Sequence, residues 1–134
     1  MTVINGQTGE APPAADRRTV VEGYLQALGQ RDVERCLSYF AEDATIYFQS
    51  GVFNGRKAIE DWHRDRFAVN FQVTDVSEMK VDGDTVVVEA SIASDRLRAW
   101  KINKLAGKAT LRLQQDRITE ARLAPRTYNP FEGW

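Results

Sequence analysis

One stretch, residues 20–48 (VVEGYLQALGQRDVERCLSYFAEDATIYF), restricts the fold more than any other part of the chain. Val20, Val21, Tyr24, Leu25 and Leu28 recur at helical spacing, so a first helix carries one apolar stripe, with Asp16 placed to cap it and Gly29 to end it. Asp32 then opens a second helix whose Val33, Cys36, Leu37 and Phe40 sit at i, i+3, i+4 and i+7, again a core-facing stripe. The AEDAT segment reads as an acidic turn into Ile46, Tyr47 and Phe48, a strand apolar on both faces and therefore covered on both. Helices with one apolar stripe and a doubly covered strand bury these surfaces by layering helix against sheet, an α+β solution. Gly23, inside the first helix, costs about 1 kcal/mol relative to Ala and implies that a neighbour packs closely over that turn.

Further along, Gly51 and Gly55 punctuate a loop, and residues 56–67 return to helical spacing through Ile59, Trp62, His63 and Phe67. On that helix Arg64, Asp65 and Arg66 read as a solvated face. The period changes to two at Phe71, Val73, Met79 and Val81, ending at Asp82-Gly83, a hairpin signal. In the next strand Val86, Val88, Ala90 and Ile92 share one face, opposite Val87, Glu89, Ser91 and Ala93. A turn over 95–99, a long strand over 100–113, a short turn at Gln115 and Asp116, and a last strand over 118–123 complete the expected order. Residues 1–15, rich in Gly, Pro, Thr and Ala with no apolar period, read as a flexible arm before a domain over 16–124. The tail over 125–134 carries Tyr128, Phe131 and Trp134, aromatic enough to fold back onto the domain or onto a partner.

Charge and cysteine usage narrow the function. A net charge of -1, with both signs interspersed, supplies no electrostatic footprint for nucleic acid or an anionic membrane, and no apolar run approaches the roughly 20 residues that span a bilayer. The single Cys36 forms no internal disulfide and suits a cytoplasmic location. One His and one Cys cannot build the usual zinc sites, and there is no phosphate-cradling Gly-rich loop, so neither metal nor cofactor is expected.

The phrases VVEGYLQALGQRDVERCLSYFAEDATIYF, FNGRKAIEDW and VDGDTVVVEASI resemble the first helix pair, third helix and central hairpin of SnoaL-like proteins in the NTF2-like superfamily, over residues 16–123. The resemblance implies a cone in which three N-terminal helices pack on a curved, mainly antiparallel sheet around an apolar cavity. It also implies polyketide cyclase-like or ketosteroid isomerase-like chemistry on a small hydrophobic molecule, and a homodimer built on the outer sheet face, where Tyr47, Gln49 and Val87 fall. The expected cavity wall comprises Phe40, Ile46, Phe48, Trp62, Phe67, Val88, Ala90, Ile92, Ala109 and Leu111.

Residue by residue, the chemistry is only partly matched. Tyr24 falls where ketosteroid isomerases carry their catalytic tyrosine, but the base position reads Phe48 and the second acid falls near Ala109. His63 lies where those enzymes place a second pocket tyrosine, which implies that it reaches Tyr24 and forms an acid-base pair; a core histidine satisfied by one hydrogen bond is the plainer alternative. Asp95 in SDRLRAW resembles one acid of limonene-type epoxide hydrolases, although its partner positions read Ala93 and Leu123, and a turn-capping Asp95 is the alternative. Tyr24, His63 and Asp95 are thus the catalytic candidates, for a cofactor-free isomerase, cyclase or dehydratase, an epoxide hydrolase-like enzyme, or else a non-catalytic binding or dimerisation module.

Overall fold

The computed structural model describes residues 14–49 and 51–125, with side chains from Arg17 onward. The expected arm and the Tyr128, Phe131 and Trp134 tail lie outside the described residues. Helices α1 (Ala14–Gly29) and α2 (Val33–Ser38) precede strand β1 (Phe40–Phe48) and the short β2 (Gly51–Asn54). Helix α3 (Gly55–Ala68), the hairpin β3 (Gln72–Asp82) and β4 (Thr85–Ala93), the one-turn helix α4 (Asp95–Ala99), and strands β5 (Leu105–Gln114) and β6 (Arg117–Pro125) follow.

One six-stranded sheet runs in the order β2-β1-β6-β5-β4-β3. Every pairing is antiparallel except β1 with β6, where Ile46 aligns with Ala121 and Phe48 with Leu123. Helix α1 packs on β3, α3 on β1 and β2, and α2 lies between them. Between the layers sits the core, with Val21, Cys36, Leu37, Ile46, Ile59, Val86 and Ile118 all buried. Register shifts in β3, between Val73 and Asp75 and between Val76 and Glu78, place bulges that increase local twist and curl the sheet around the helices.

The expected β3–β4 hairpin forms, its turn one residue later than the Asp82-Gly83 signal: Asp82 pairs with Thr85, so Gly83 and Asp84 make the turn, and Gly83 takes a left-handed φ of +60°. Asp32 caps α2, its carboxylate accepting from the Arg35 amide at 3.1 Å. Other boundaries differ from expectation. Helix α1 begins at Ala14, so Asp16 lies within its first turn rather than capping it. The AEDAT segment belongs to β1: between Phe40, opposite Ile118, and Thr45, opposite Glu120, the strand bulges, leaving Glu42 and Asp43 in water while Ala44 is buried. Residues 51–54 are not a loop but strand β2, paired with β1.

Ser94, whose hydroxyl accepts from the Leu97 amide, starts α4 where a plain turn was expected, and the following strand begins at Leu105 rather than Trp100. Trp100, at 68% exposure, is left on the surface. Helices α1, α3 and α4 share one mode of ending. The left-handed residues Arg31, Asn70 and Lys101 each donate their amide back to the closing turn, and the next residue bonds one position further back (Asp32 to Ala27, Phe71 to Arg66, Ile102 to Leu97).

Gly23 has the expected close neighbour. A Cβ at that position would overlap the Tyr39 hydroxyl and lie 2.9 Å from its Cζ. Gly23→Ala is therefore expected to forfeit the roughly 1 kcal/mol helix-propensity gain that Ala normally brings, and to recover it in a Tyr39→Ala background. A double-mutant cycle by urea denaturation measures this; additive effects would show that Tyr39 does not constrain Gly23.

Candidate functional site

A cavity of about 460 Å³ lies between the helices and the concave face of the sheet. Its wall is apolar because the inward residues of alternating strands meet the apolar stripes of α1 and α3. Ile46 and Phe48 enter from β1, Val88, Ala90 and Ile92 from β4, and Ala109 and Leu111 from β5, while Trp62 closes it from α3 and Leu25 and Leu28 from α1. All of these except the two α1 leucines were expected wall residues. Two further expected wall residues do not line it. Phe40 is buried behind the wall, edge-on to Tyr24 (ring centroids 5.2 Å apart) and His63 (5.7 Å), and Phe67 packs beside His63 instead. Exposed Gln49, Arg96 and Trp100 mark the mouth.

Tyr24 and His63 meet. The Tyr24 hydroxyl lies 2.8 Å from His63 Nε2, and His63 Nδ1 lies 2.8 Å from the Ile59 carbonyl one turn earlier. Because a carbonyl can only accept, Nδ1 carries the proton, and the neutral ring then accepts the Tyr24 proton at Nε2. Burial pushes His63 down to about 4, only partly opposed by the Ile59 carbonyl, and burial likewise raises Tyr24 well above the usual phenol range, with Cys36 adding to the rise. At neutral pH the pair is uncharged. Tyr24 lines the cavity; His63, wholly buried among Tyr24, Phe40 and Trp62, does not.

Asp95 stands apart from them. It ion-pairs with Arg98 and accepts from Asn70 Nδ2 at 2.7 Å, while Asn70 Oδ1 accepts from Arg31 at 2.7 Å and the Asp95 amide donates to the Val69 carbonyl at 2.8 Å. These contacts tie the ends of α1 and α3 to the start of α4. Neither Asp95 nor Glu89 lines the cavity, and no other carboxylate among the described residues does.

Arg66 departs most from the sequence reading. Rather than facing solvent with Arg64 and Asp65, it lines the cavity, its guanidinium 4.8 Å from the centre of the Phe48 ring and 5.8 Å from that of Trp62. The signal was available: Ile59, Trp62, His63 and Arg66 stand at i, i+3, i+4 and i+7, the buried stripe itself. Arg96 and the buried Ser94 also line the cavity and carried no comparable signal. Among the described residues no three of His, Cys, Asp and Glu gather as a metal site would require, and no helix is long and apolar enough to cross a membrane.

A curved sheet wrapped on helices around one apolar cavity defines the NTF2-like, ketosteroid isomerase-like class of cone folds. Within that class the chain belongs to the SnoaL-like domain family, whose family model matches residues 21–121. A search of curated proteins finds none with significant sequence similarity. Similar solved structures include a Sinorhizobium meliloti protein designated a polyketide cyclase (20% identity, 84% of this chain and 100% of that one, TM-score 0.72). Another is the epoxide hydrolase/cyclase-like enzyme SalBIII of pyran ring formation in salinomycin (19%, 83% and 91%, TM-score 0.73). A third is a ketosteroid isomerase-like fold from Catenulispora acidiphila in complex with trimethylamine (19%, 85% and 88%, TM-score 0.67). At these identities the likeness is one of fold.

Proposed function

We propose that the chain binds a small, apolar, oxygenated molecule inside the cone. The observation that carries this is the cavity itself: about 460 Å³, within the roughly 300–1,000 Å³ range of small-molecule sites, walled mainly by aliphatic and aromatic side chains with a few polar groups. The protein designated a polyketide cyclase and the epoxide hydrolase/cyclase-like enzyme with a role in pyran ring formation, both similar in fold, support the same ligand class.

The Tyr24–His63 hydrogen bond favours a second reading, cofactor-free acid-base chemistry such as isomerisation, cyclisation or dehydration. In that reading the Tyr24 oxygen takes a proton from the ligand while its own proton passes to His63 Nε2, leaving an imidazolium braced by the Ile59 carbonyl. A base held at about 4 is weak at neutral pH, so binding stands first. An epoxide-opening mechanism, which needs a cavity carboxylate, gains no support from the geometry.

A thermal-shift screen against steroids, aromatic polyketide fragments, terpenoid epoxides and fatty alcohols tests the proposal. A ligand at 100 times its Kd adds about 2.7 kcal/mol, a rise of several degrees at this size. Ala109→Phe, which fills the cavity, is expected to stay folded and lose the shift. A variant that responds like the wild type, or silence across every compound, would defeat the proposal. For any compound that is also converted, Tyr24→Phe is expected to slow turnover at least about 100-fold; unchanged turnover removes Tyr24 from the chemistry.

A further inference from the structure

The cavity is apolar in shape yet one-sided in charge. Its charged lining residues are Arg66, Arg96 and Lys108, all cationic, with no carboxylate among the described residues that line it. The Arg66 side chain makes no hydrogen bond or ion pair with the described residues beyond its stacking on Phe48 and Trp62, and its Nε is buried without a partner. Trp62, 2% exposed, holds a second buried donor without a partner, its indole Nε1. Two buried donors without a partner thus stand in adjacent side chains of the cavity wall, where the Arg66 charge meets no carboxylate among the described lining residues.

Arg96, the second residue of α4, is exposed at the mouth and close enough for its charge to act on Arg66. Burial first, and the Arg96 charge second, lower the Arg66 pKa; exposed Asp65 partly offsets this. Asp95, next to Arg96 in α4, is committed to Arg98 and Asn70. The fold thus brings two guanidinium groups to an apolar cavity with no carboxylate among its described lining residues.

We propose that the ligand of this cavity is an amphipathic anion, an apolar body ending in a carboxylate that Arg66 and Arg96 hold at the mouth. The proposal rests on the cone being a binding cavity and adds the charge of what it binds. Guanidinium groups match the planar two-oxygen fork of a carboxylate. The apolar wall leaves room for only one charged end.

Isothermal titration at low salt with octanoate and naphthoate, each against its primary alcohol and primary amide, tests it. The carboxylates are expected to bind at least about tenfold more tightly than their neutral partners, and Arg66→Met to abolish that preference, read as the ratio of acid to alcohol affinity within the same variant. Arg96→Gln, on an exposed side chain that the fold does not need, is expected to reduce the preference and its salt dependence. Equal binding of acid, alcohol and amide, or Arg variants that keep the full preference, would overturn the anion assignment and leave the apolar cavity standing. Failure of every probe to bind would overturn both.

Discussion

Acidification from about pH 7 to about pH 4 is expected to remove about 3 kcal/mol of stability through His63 alone. In the unfolded chain its imidazole titrates near 6.5; in the fold, burial holds it at about 4. Between these values the unfolded state binds a proton that the native state refuses, so stability falls as the pH falls. The contribution is flat above 6.5 and changes by about 1.4 kcal/mol per pH unit within the window. The geometry explains the refusal: Nδ1 already donates to Ile59, and Nε2 holds the Tyr24 proton, so an added proton would set two donors against each other in a site walled by Phe40 and Trp62. Urea midpoints at about pH 7.5, 6.5, 5.5 and 4.5 for the wild type and His63→Gln measure it. The wild type is expected to show the steeper loss between 6.5 and 4.5. Parallel curves would mean that His63 is protonated in the native state.

The parts of the fold legible in the sequence were those specified by local periodicity. The α1 stripe, the α2 stripe as far as Leu37, the Asp32 cap and the hairpin signal at Asp82-Gly83 each depend on residues within a few positions of one another, whereas Phe40, assigned to the α2 stripe, opens β1. What escaped depends on partners far away. Glu42 and Asp43 mark a turn by composition, yet the chain there is a bulged strand because β6, some 75 residues later, supplies the parallel partner. Residues 51–54 are too few, and start with Gly, to read as a strand without β1 beside them. Arg31, Asn70 and Lys101 close helices in the left-handed conformation that Gly signals in a sequence, so Trp100 was assigned to a strand it does not enter.

The site divided along a different line. The apolar wall followed from strand alternation, whereas the proximity of Tyr24 and His63 was implied only by the family resemblance, since no local pattern connects residues on separate helices. Arg66 was misread because its charge outweighed its place in the stripe. A long aliphatic stem can lie across aromatic rings while its head stays near water, as Arg66 does over Phe48 and Trp62.

Phe40 and Phe48, both expected to line the cavity, are predicted to respond oppositely to truncation. Phe40 opens β1 opposite Ile118, is 3% exposed, and packs edge-on against both Tyr24 and His63. Removing its ring leaves a void within close-packed neighbours that cannot collapse without moving the hydrogen-bonded pair, so Phe40→Ala is expected to cost about 3–5 kcal/mol. Phe48, half-buried, already borders open volume; its truncation enlarges that volume and forfeits contacts with Trp62 and Arg66, an expected loss of about 1–2 kcal/mol. Ligand response is expected to invert the order. Phe48→Ala changes the affinity of any cavity ligand, while Phe40→Ala leaves the affinity of the folded fraction near that of the wild type, because its ring never touches the cavity. Denaturant titration, paired with calorimetry under conditions where both variants remain folded, measures the two quantities. A Phe40→Ala loss below that of Phe48→Ala would place Phe40, not Phe48, at the edge of the cavity.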